Sequence, residues 1–477
     1  MSAQLFWLGL LFLLHLVVIA RVLLLETRSP YSRAAWVMLL LLLPIIGVVL
    51  YACFGEPWVA RRTRNAARHD FQALKQQAHA DSSALTHIPA RYQNAFKTCA
   101  SINGFPVLAG NQATLTADSN ASIDAMVSDF AVATSSIHIS FYIWLTDHNG
   151  QKIIQAVQEA ARRGVTCRIV VDAIGSRALI ASPHWQAMQQ AGVKVAVSMR
   201  HRLGGNPLHS SRIDLRNHRK IVVVDDAITY CGSQNCADPE FLVKAKYAPW
   251  VDIMLRFTGP VATQNQMLFA DDWMVESGES LPADDLAYAP AHPDNSFPAV
   301  AFGTGPMSAQ DSMSAAFRSV IDCAQQELVI STPYFVPDHP LQAALIACSR
   351  RGVAVTLIVP ARNDSWFVGT MSRAYYASLI EAGVNIHEYH GGLLHAKTMV
   401  IDSEVALIGS ANMDRRSLEL NFENNILLYS AATATLIRER QNSYLAQASA
   451  VSADDLQQRP SWKIMLQNFL TIFEPIF

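Results

Sequence analysis

The sequence of 477 residues is poor in the features that recruit nucleic acid, disulfides or metals. Its formal net charge is −2, so no global basic field draws in a polyanion, which argues against a nuclease and against a nucleic-acid partner. Its seven cysteines, at positions 53, 99, 167, 231, 236, 323 and 348, form no CxxC pair and are odd in number. Most sit in apolar runs and read as reduced structural thiols of a cytosolic domain. His387, His390 and His395 are close in sequence, but Glu388 has the wrong strand parity and no thiol completes a coordination set. Neither a metal nor any other cofactor is expected. The opening Met-Ser-Ala-Gln carries no basic side chain and a second apolar segment follows the first at once, which argues against a cleaved secretory signal. Gly303 and Gly305 lead into no helix of the kind a phosphate loop requires, so they mark a turn.

What the chain does have is an internal repeat. Residues 216–235, RNHRKIVVVDDAITYCGSQN, and 394–412, LHAKTMVIDSEVALIGSAN, share His-x-Lys, four residues, Asp, six residues, then Gly-Ser-x-Asn. The matched positions are His218, Lys220, Asp225, Ser233 and Asn235 in the first copy and His395, Lys397, Asp402, Ser410 and Asn412 in the second. Matched spacing of this kind reflects duplication. Residues 221–224 and 398–401 are β-branched or apolar runs, so each motif reads as a buried strand. Strand alternation puts each His on the same face as its Lys. The Asp falls on the opposite parity at the strand end, so Asp225 and Asp402 enter the motif as structural residues that do not touch substrate.

An ammonium beside an imidazole suits an anionic phosphorus centre: one neutralises phosphate oxygens while the other attacks or transfers a proton. The Gly-Ser-x-Asn segments, with Ser233, Asn235, Ser410 and Asn412, can add donors to the same phosphate. Asp252 and Glu423 each follow a Gly-Ser-x-Asn by a short interval and are candidates to hold a motif His through its second ring nitrogen. For Asp252 an ordinary buried ion pair is an equal alternative. Tyr142, Trp144, Tyr334 and Phe335 recur in matching strands as core or cleft wall.

The repeated motif resembles the HKD signature of the phospholipase D superfamily, and two copies in one chain resemble its pseudo-dimeric members, whose copies meet at one active site. Residues 32–57, SRAAWVMLLLLLPIIGVVLYACFGEP, with TPYFVPD at 332–338 and GSANMDRRSLELNFENN at 409–425, resemble the bacterial cardiolipin synthases. The likeness covers nearly the whole chain. It implies two tandem phospholipase D-like α-β-α sandwich domains forming a pseudo-dimer, preceded by a hairpin of two transmembrane helices. It also implies a phosphatidyltransferase that joins two phosphatidylglycerol molecules and releases glycerol through a phosphatidyl-histidine, with catalysis by both HKD sets and His218 as nucleophile. Arg219, Arg415 and Arg416 flank the motifs as candidates to hold a lipid phosphate, with a structural role as the alternative. The rival functions are a phospholipase D that uses water or another alcohol, and an inactive membrane scaffold. The expected partners are phosphatidylglycerol and anionic lipids of the bacterial inner membrane; phosphatidylethanolamine as a participant, and the oligomeric state, stay open.

Two apolar segments, residues 4–25 and 34–54, are each about long enough to cross a bilayer. Trp7, Trp36 and Trp58 fall near their ends, as interfacial aromatics do. Arg61, Arg62, Arg64 and Arg68 follow the second segment, against Arg28 and Arg33 in the link, which puts the catalytic part in the cytoplasm. His15 and Arg21 leave a partly inserted hairpin as the alternative. The expected organisation is an anchor at 1–60, a surface helical connector at 61–100, and repeats at 101–285 and 286–477. The boundary falls where turn-forming residues accumulate, at 276–301. Strand, helix and strand follow one another at 136–144, 151–164 and 167–172, and again at 327–335, 341–352 and 353–360, which implies an α/β layer.

Overall fold

Among the residues described by the computed structural model, 2–25, 30–56, 82–200, 212, 214–281 and 288–472, both repeats contribute to one mixed sheet of 15 strands. At its centre Leu108–Leu115 pairs antiparallel with Phe297–Thr304. Outward from this seam the first repeat continues through Met254–Thr258, Ile228–Gly232, Lys220–Val224, Ser136–Phe141, Thr166–Asp172 and Lys194–Ser198. The second continues in the same order through Glu423–Tyr429, Val405–Gly409, Thr398–Ile401, Glu327–Ser331, Ala354–Pro360 and Asn385–Tyr389, with Ala448–Ala450 added at the edge. The last three strands named for the first repeat are mutually parallel, as are the last three before the added edge strand in the second. The helices His148–Arg162 and His339–Arg350 make crossovers in equivalent places. The capping of each is legible: Asp147 accepts from Gly150 N at 3.1 Å and Asp338 from Leu341 N at 2.8 Å. Gly164 (φ 94°) and Gly352 (φ 90°) end the two helices in the left-handed region. Every residue of Lys220–Val224 and Thr398–Ile401 is buried, which explains their unbroken apolar runs.

Each motif strand turns at its Asp. Asp225 and Asp226 have φ of 48° and 55°, and Asp402 and Ser403 have 51° and 52°, a conformation that short polar side chains tolerate better than β-branched ones. From that position Asp225 accepts from the backbone N–H groups of Thr134, Ser135 and Ser136 at 2.9, 2.8 and 2.9 Å. Asp402 does the same for Gln325, Gln326 and Glu327 at 3.1, 2.8 and 2.9 Å. Each carboxylate thus ties its motif hairpin to the start of the next strand.

Two expectations need correcting. The connector is not merely a surface helix: Ala90–Asn103 buries Tyr92, Ala95, Phe96 and Cys99, and the Tyr92 hydroxyl donates to Glu404 at 2.9 Å. Its apolar positions recur every three to four residues and dock on the second repeat; residues 57–81 lie outside those described, as do Trp58 and the arginines at 61, 62, 64 and 68. The second apolar segment is not one helix. Only Gln4–Leu24, 21 residues long, is by length and composition able to cross a membrane among the described residues. The other segment forms Pro30–Leu42 and Pro44–Phe54, because Pro44 lacks an N–H and holds Leu43 out of helical geometry (φ −132°, ψ 71°). The two pieces fold back on each other. Trp36 and Tyr51 would stand roughly 22 Å apart along a straight helix, yet their rings meet edge to face at 5.1 Å. Trp36 is therefore enclosed between helices rather than interfacial. Arg21, near the end of the long helix, pairs with Glu56 at 2.9 Å, so the end of that helix and the end of the folded-back pair lie together.

Removing the turn carboxylates should cost stability. Asp225→Ala and Asp402→Ala should each lower the unfolding free energy by ~1.5–3 kcal/mol, the worth of charge-assisted hydrogen bonds. Asp225→Asn, which keeps tolerance of positive φ, should lie between alanine and wild type. Thermal unfolding in detergent checks the order.

Candidate active site

The two histidines sit where strands of one repeat touch the other. Asn217 bridges to Phe422 and Leu393–Leu394 pairs parallel with Trp250–Val251. Accordingly His218 N donates to Phe422 O at 2.9 Å and His395 N to Val251 O at 2.8 Å. The residue following each acceptor is an acid, and the pairing crosses between repeats. His218 Nδ1 lies 2.9 Å from Glu423, and His395 Nδ1 lies 2.6 Å from Asp252. A carboxylate on Nδ1 fixes the tautomer with the proton there and leaves Nε2 as the reactive atom. Both imidazoles, with Asn235 and Asn412, line one cleft of about 460 Å3. Tyr142 packs edge-on against His218 at 5.0 Å, and the Trp250 ring lies 4.7 Å from His395.

Lys220 and Lys397 are buried beside their histidines. Each ammonium donates to the carbonyl of its own His at 2.8 Å, and Lys397 Nζ also donates to His395 Nε2 at 3.1 Å. Burial, with Lys397 close by, brings Lys220 down to about 7, and burial brings Lys397 down to about 8. Burial pushes His218 down to about 4 despite Glu423. His395 is lowered by burial and by Lys397. Burial works to raise Asp252, but His395 and Lys397 hold it down at about 2. Glu423 is likewise held below its usual range, by His218 against the effect of burial. The site therefore keeps two ionised carboxylates behind two neutral imidazoles, with the two lysines buried beside them.

Other candidates fall differently. The Ser233 hydroxyl donates to Asp252 at 2.6 Å, and the Ser410 hydroxyl donates to Glu423. Neither serine is part of the cleft wall, and both brace the positioning acids. Glu423 also accepts from Ser417 Oγ at 2.8 Å and from Asn421 Nδ2 at 3.3 Å. Asn235 Oδ1 accepts from Ile143 N at 3.2 Å, while the buried Asn412 Oδ1 has no partner among the described residues. Arg219 is sealed inside, donating to Asp272 at 2.8 Å and to the Leu268 carbonyl at 2.9 Å. Arg415 pairs with Glu419 at 2.8 Å one helical turn on. Of the three flanking arginines only Arg416 reaches the cleft. Sequence reasoning missed Arg216, Arg177 and Asp414, which also line it; Arg216, two residues before His218 on an extended stretch, shares that residue's parity and could have been found. Asp414 has its carboxyl pushed up to about 6 by burial. Tyr142 and Tyr334 form cleft wall, and Trp144 and Phe335 are core. His390 bonds to Ser449 at 2.7 Å, away from His395's partners.

A doubled His-x-Lys strand, with both imidazoles at one cleft between repeats, defines a phospholipase D-like protein. Residues 126–249 and 317–444 match the family described as cardiolipin synthase, phospholipase D-like domain, and residues 10–56 match the phospholipase D-nuclease N-terminal family. The chain is 33% identical over 461 residues to cardiolipin synthase A of Citrobacter koseri, spanning 95% of this chain and 94% of that protein. It is 32% identical to cardiolipin synthase A of Klebsiella pneumoniae over the same shares. This chain belongs to the cardiolipin synthase family of phospholipase D-like proteins. Among solved structures, phosphatidylserine synthase of Haemophilus influenzae shares the fold, with a TM-score of 0.58 and 16% identity over 80% of this chain and 98% of that one.

If the crossed carboxylates fix the tautomers, Glu423→Gln should release His218 in the opposite repeat. Ring 15N spectra of wild type should show both motif histidines with hydrogen on Nδ1; the variant should lose this for His218 alone. Activity should fall by about two to four orders of magnitude.

Proposed function

We propose that the chain is a membrane-anchored phosphatidyltransferase that converts two phosphatidylglycerol molecules into cardiolipin and glycerol. The observation that carries this reading is the pair of carboxylate-held imidazoles facing one cleft. His218 Nε2 attacks phosphorus and the bond to the glycerol oxygen breaks. That alkoxide takes a proton from His395 Nε2, supplied along the contact with the Lys397 ammonium once the bound phosphodiester anion offsets the lysine charges. The second phosphatidylglycerol then gives its hydroxyl proton to His395, its oxygen bonds phosphorus, and the P–N bond breaks. Two displacements conserve the phosphodiester bond energy, so no nucleotide is consumed. Lys220, Lys397, Asn235 and Asn412 stabilise charge on the phosphoryl oxygens. The assignment of His218 as nucleophile is supported by its Nε2, which has no hydrogen-bond partner among the described residues, whereas that of His395 accepts from Lys397.

The anchor reading is a single crossing by Gln4–Leu24 and a re-entrant pair, Pro30–Leu42 and Pro44–Phe54, that returns to the side it left. The fold-back at Leu43 and the Arg21–Glu56 pair support this over two full crossings. The catalytic part then lies in the cytoplasm and residue 1 on the opposite face. An N-terminal tag should be protease-accessible on intact spheroplasts and a C-terminal tag protected; two full crossings would protect both.

Purified protein with phosphatidylglycerol vesicles should yield cardiolipin and glycerol by mass analysis. Phosphatidic acid would instead indicate hydrolysis, incorporation of added phosphatidylethanolamine a different lipid partner, and no product a scaffold. His218→Ala and His395→Ala should each reduce turnover by several orders of magnitude, because groups that act as one unit fail together. Rapid denaturation of wild type during turnover, at neutral to alkaline pH because a phosphoramidate is acid-labile, should trap labelled lipid on a peptide containing His218, and His395→Ala, which lacks the proton donor of the first displacement, should trap less. The lysines set the pH response: their cations are present below about 7 to 8 and lost above it. On the alkaline side kcat/KM should therefore fall as the pair titrates.

A further inference from the structure

The C-terminal helix Ser461–Thr471 has two apolar faces. One, with Leu466 and Leu470, packs on Val336, Phe367 and Met371. The other presents Trp462, Met465 and Phe469 at helical spacing, and these are 58%, 70% and 53% exposed. Beside them Trp366, at the start of the neighbouring helix, is 65% exposed. The first repeat adds Leu242 and Val243, exposed by 76% and 62%. These segments share one surface. Lys244 Nζ pairs with Asp364 at 2.5 Å and Arg362 donates to the Lys246 carbonyl at 2.8 Å, so the turn bearing Leu242 is fastened to the residues that lead into Trp366. Val243 and Lys244 also line the active-site cleft. An apolar patch of this extent, rimmed by cations, marks an interaction surface.

Its occupant follows from its neighbours. Tyr31, at the start of the re-entrant pair, stacks on His339 at 6.3 Å, three residues after the Val336 that packs on Leu470. At the other end of that pair, Arg212 donates to the Phe54 carbonyl at 2.7 Å, four residues before the cleft residue Arg216. The apolar N-terminal helices therefore meet the catalytic body close to the segment on which the C-terminal helix packs and close to the cleft. Lys246, Arg362 and Lys463 give it the charge that complements anionic headgroups.

We propose that Trp366, Trp462, Met465 and Phe469, with Leu242 and Val243, form an interfacial docking surface seated in the headgroup layer of an anionic bilayer. It holds the cleft mouth where a lipid phosphodiester enters while the acyl chains stay in the membrane. The proposal rests on the phosphatidyl-transfer reading for its kinetic test but not for its binding test. Full-length protein carrying Trp462→Glu, Met465→Glu and Phe469→Glu is assayed on phosphatidylglycerol vesicles and on monomeric short-chain phosphatidylglycerol. KM on vesicles should rise roughly tenfold or more, with kcat/KM on the monomeric lipid unchanged within about twofold. In vesicles containing bromine-labelled lipids, Trp462→Phe and Trp366→Phe should each remove part of the quenchable tryptophan emission. Equal loss on both substrates, unchanged kinetics on both, or quenching unaltered by both tryptophan substitutions would overturn the proposal. So would loss of self-association in the triple variant with normal vesicle kinetics, which would assign the face to a second copy. Failure of wild type to turn over any lipid would refute the transfer reading, and the quenching result would still decide the docking surface.

Discussion

Everything at the centre of this molecule depends on an exchange: each imidazole is oriented by a carboxylate from the opposite repeat. The exchange is built by backbone, since His218 and His395 each donate an N–H across the interface to the residue just before the partner acid. The joined sheet brings those strands into reach, and the Asp-anchored turns hold the hairpins in register. Neither repeat alone contains a motif imidazole together with the acid that orients it. That is a physical reason for the two copies to remain on one chain and to share one cleft.

The electrostatic design is equally interdependent. Two buried lysines beside one another are each weakened as cations, and two buried carboxylates close behind the histidines restrain that loss. A bound phosphodiester of the proposed reaction would add negative charge near the two lysines and restore their strength as cations. Ser233, Ser410, Ser417 and Asn421 keep the carboxylates ionised and fixed by hydrogen bonds.

Much of this was legible in the sequence. The duplicated spacing marked both motif strands, and Gly164 and Gly352 marked the ends of the two crossover helices; their starts lie earlier than the residues 151 and 341 read from apolar spacing, at the caps Asp147 and Asp338. Asp252 and Glu423 were legible as partners of the histidines, but not the exchange between repeats, which arises from tertiary pairing of Asn217 with Phe422 and Leu393 with Trp250. The bonds of Ser233 and Ser410 to the carboxylates were not legible, because a hydroxyl beside a glycine serves a phosphate or a carboxylate equally well and packing supplies the partner. For Arg219 the structural alternative is the one the fold takes: its side chain turns inward to Asp272 while His218 beside it faces the cleft. The second apolar segment read as one span because its composition is uniform, and the single residue Pro44 outweighed that average. The connector helix looked superficial because its mean polarity concealed a docked stripe of Tyr92, Phe96 and Cys99.

The exchanged carboxylates also bear on how such a chain can change over time. Duplication ordinarily frees one copy to drift, since the other still performs the task. Here each half keeps custody of an atom that the other half needs, so damage to Glu423 is felt at His218 and damage to Asp252 at His395. The copies can diverge at their edges and loops, and in the arginines and acids that line only one side of the cleft. At the crossing point they are locked into common descent, because neither has a spare.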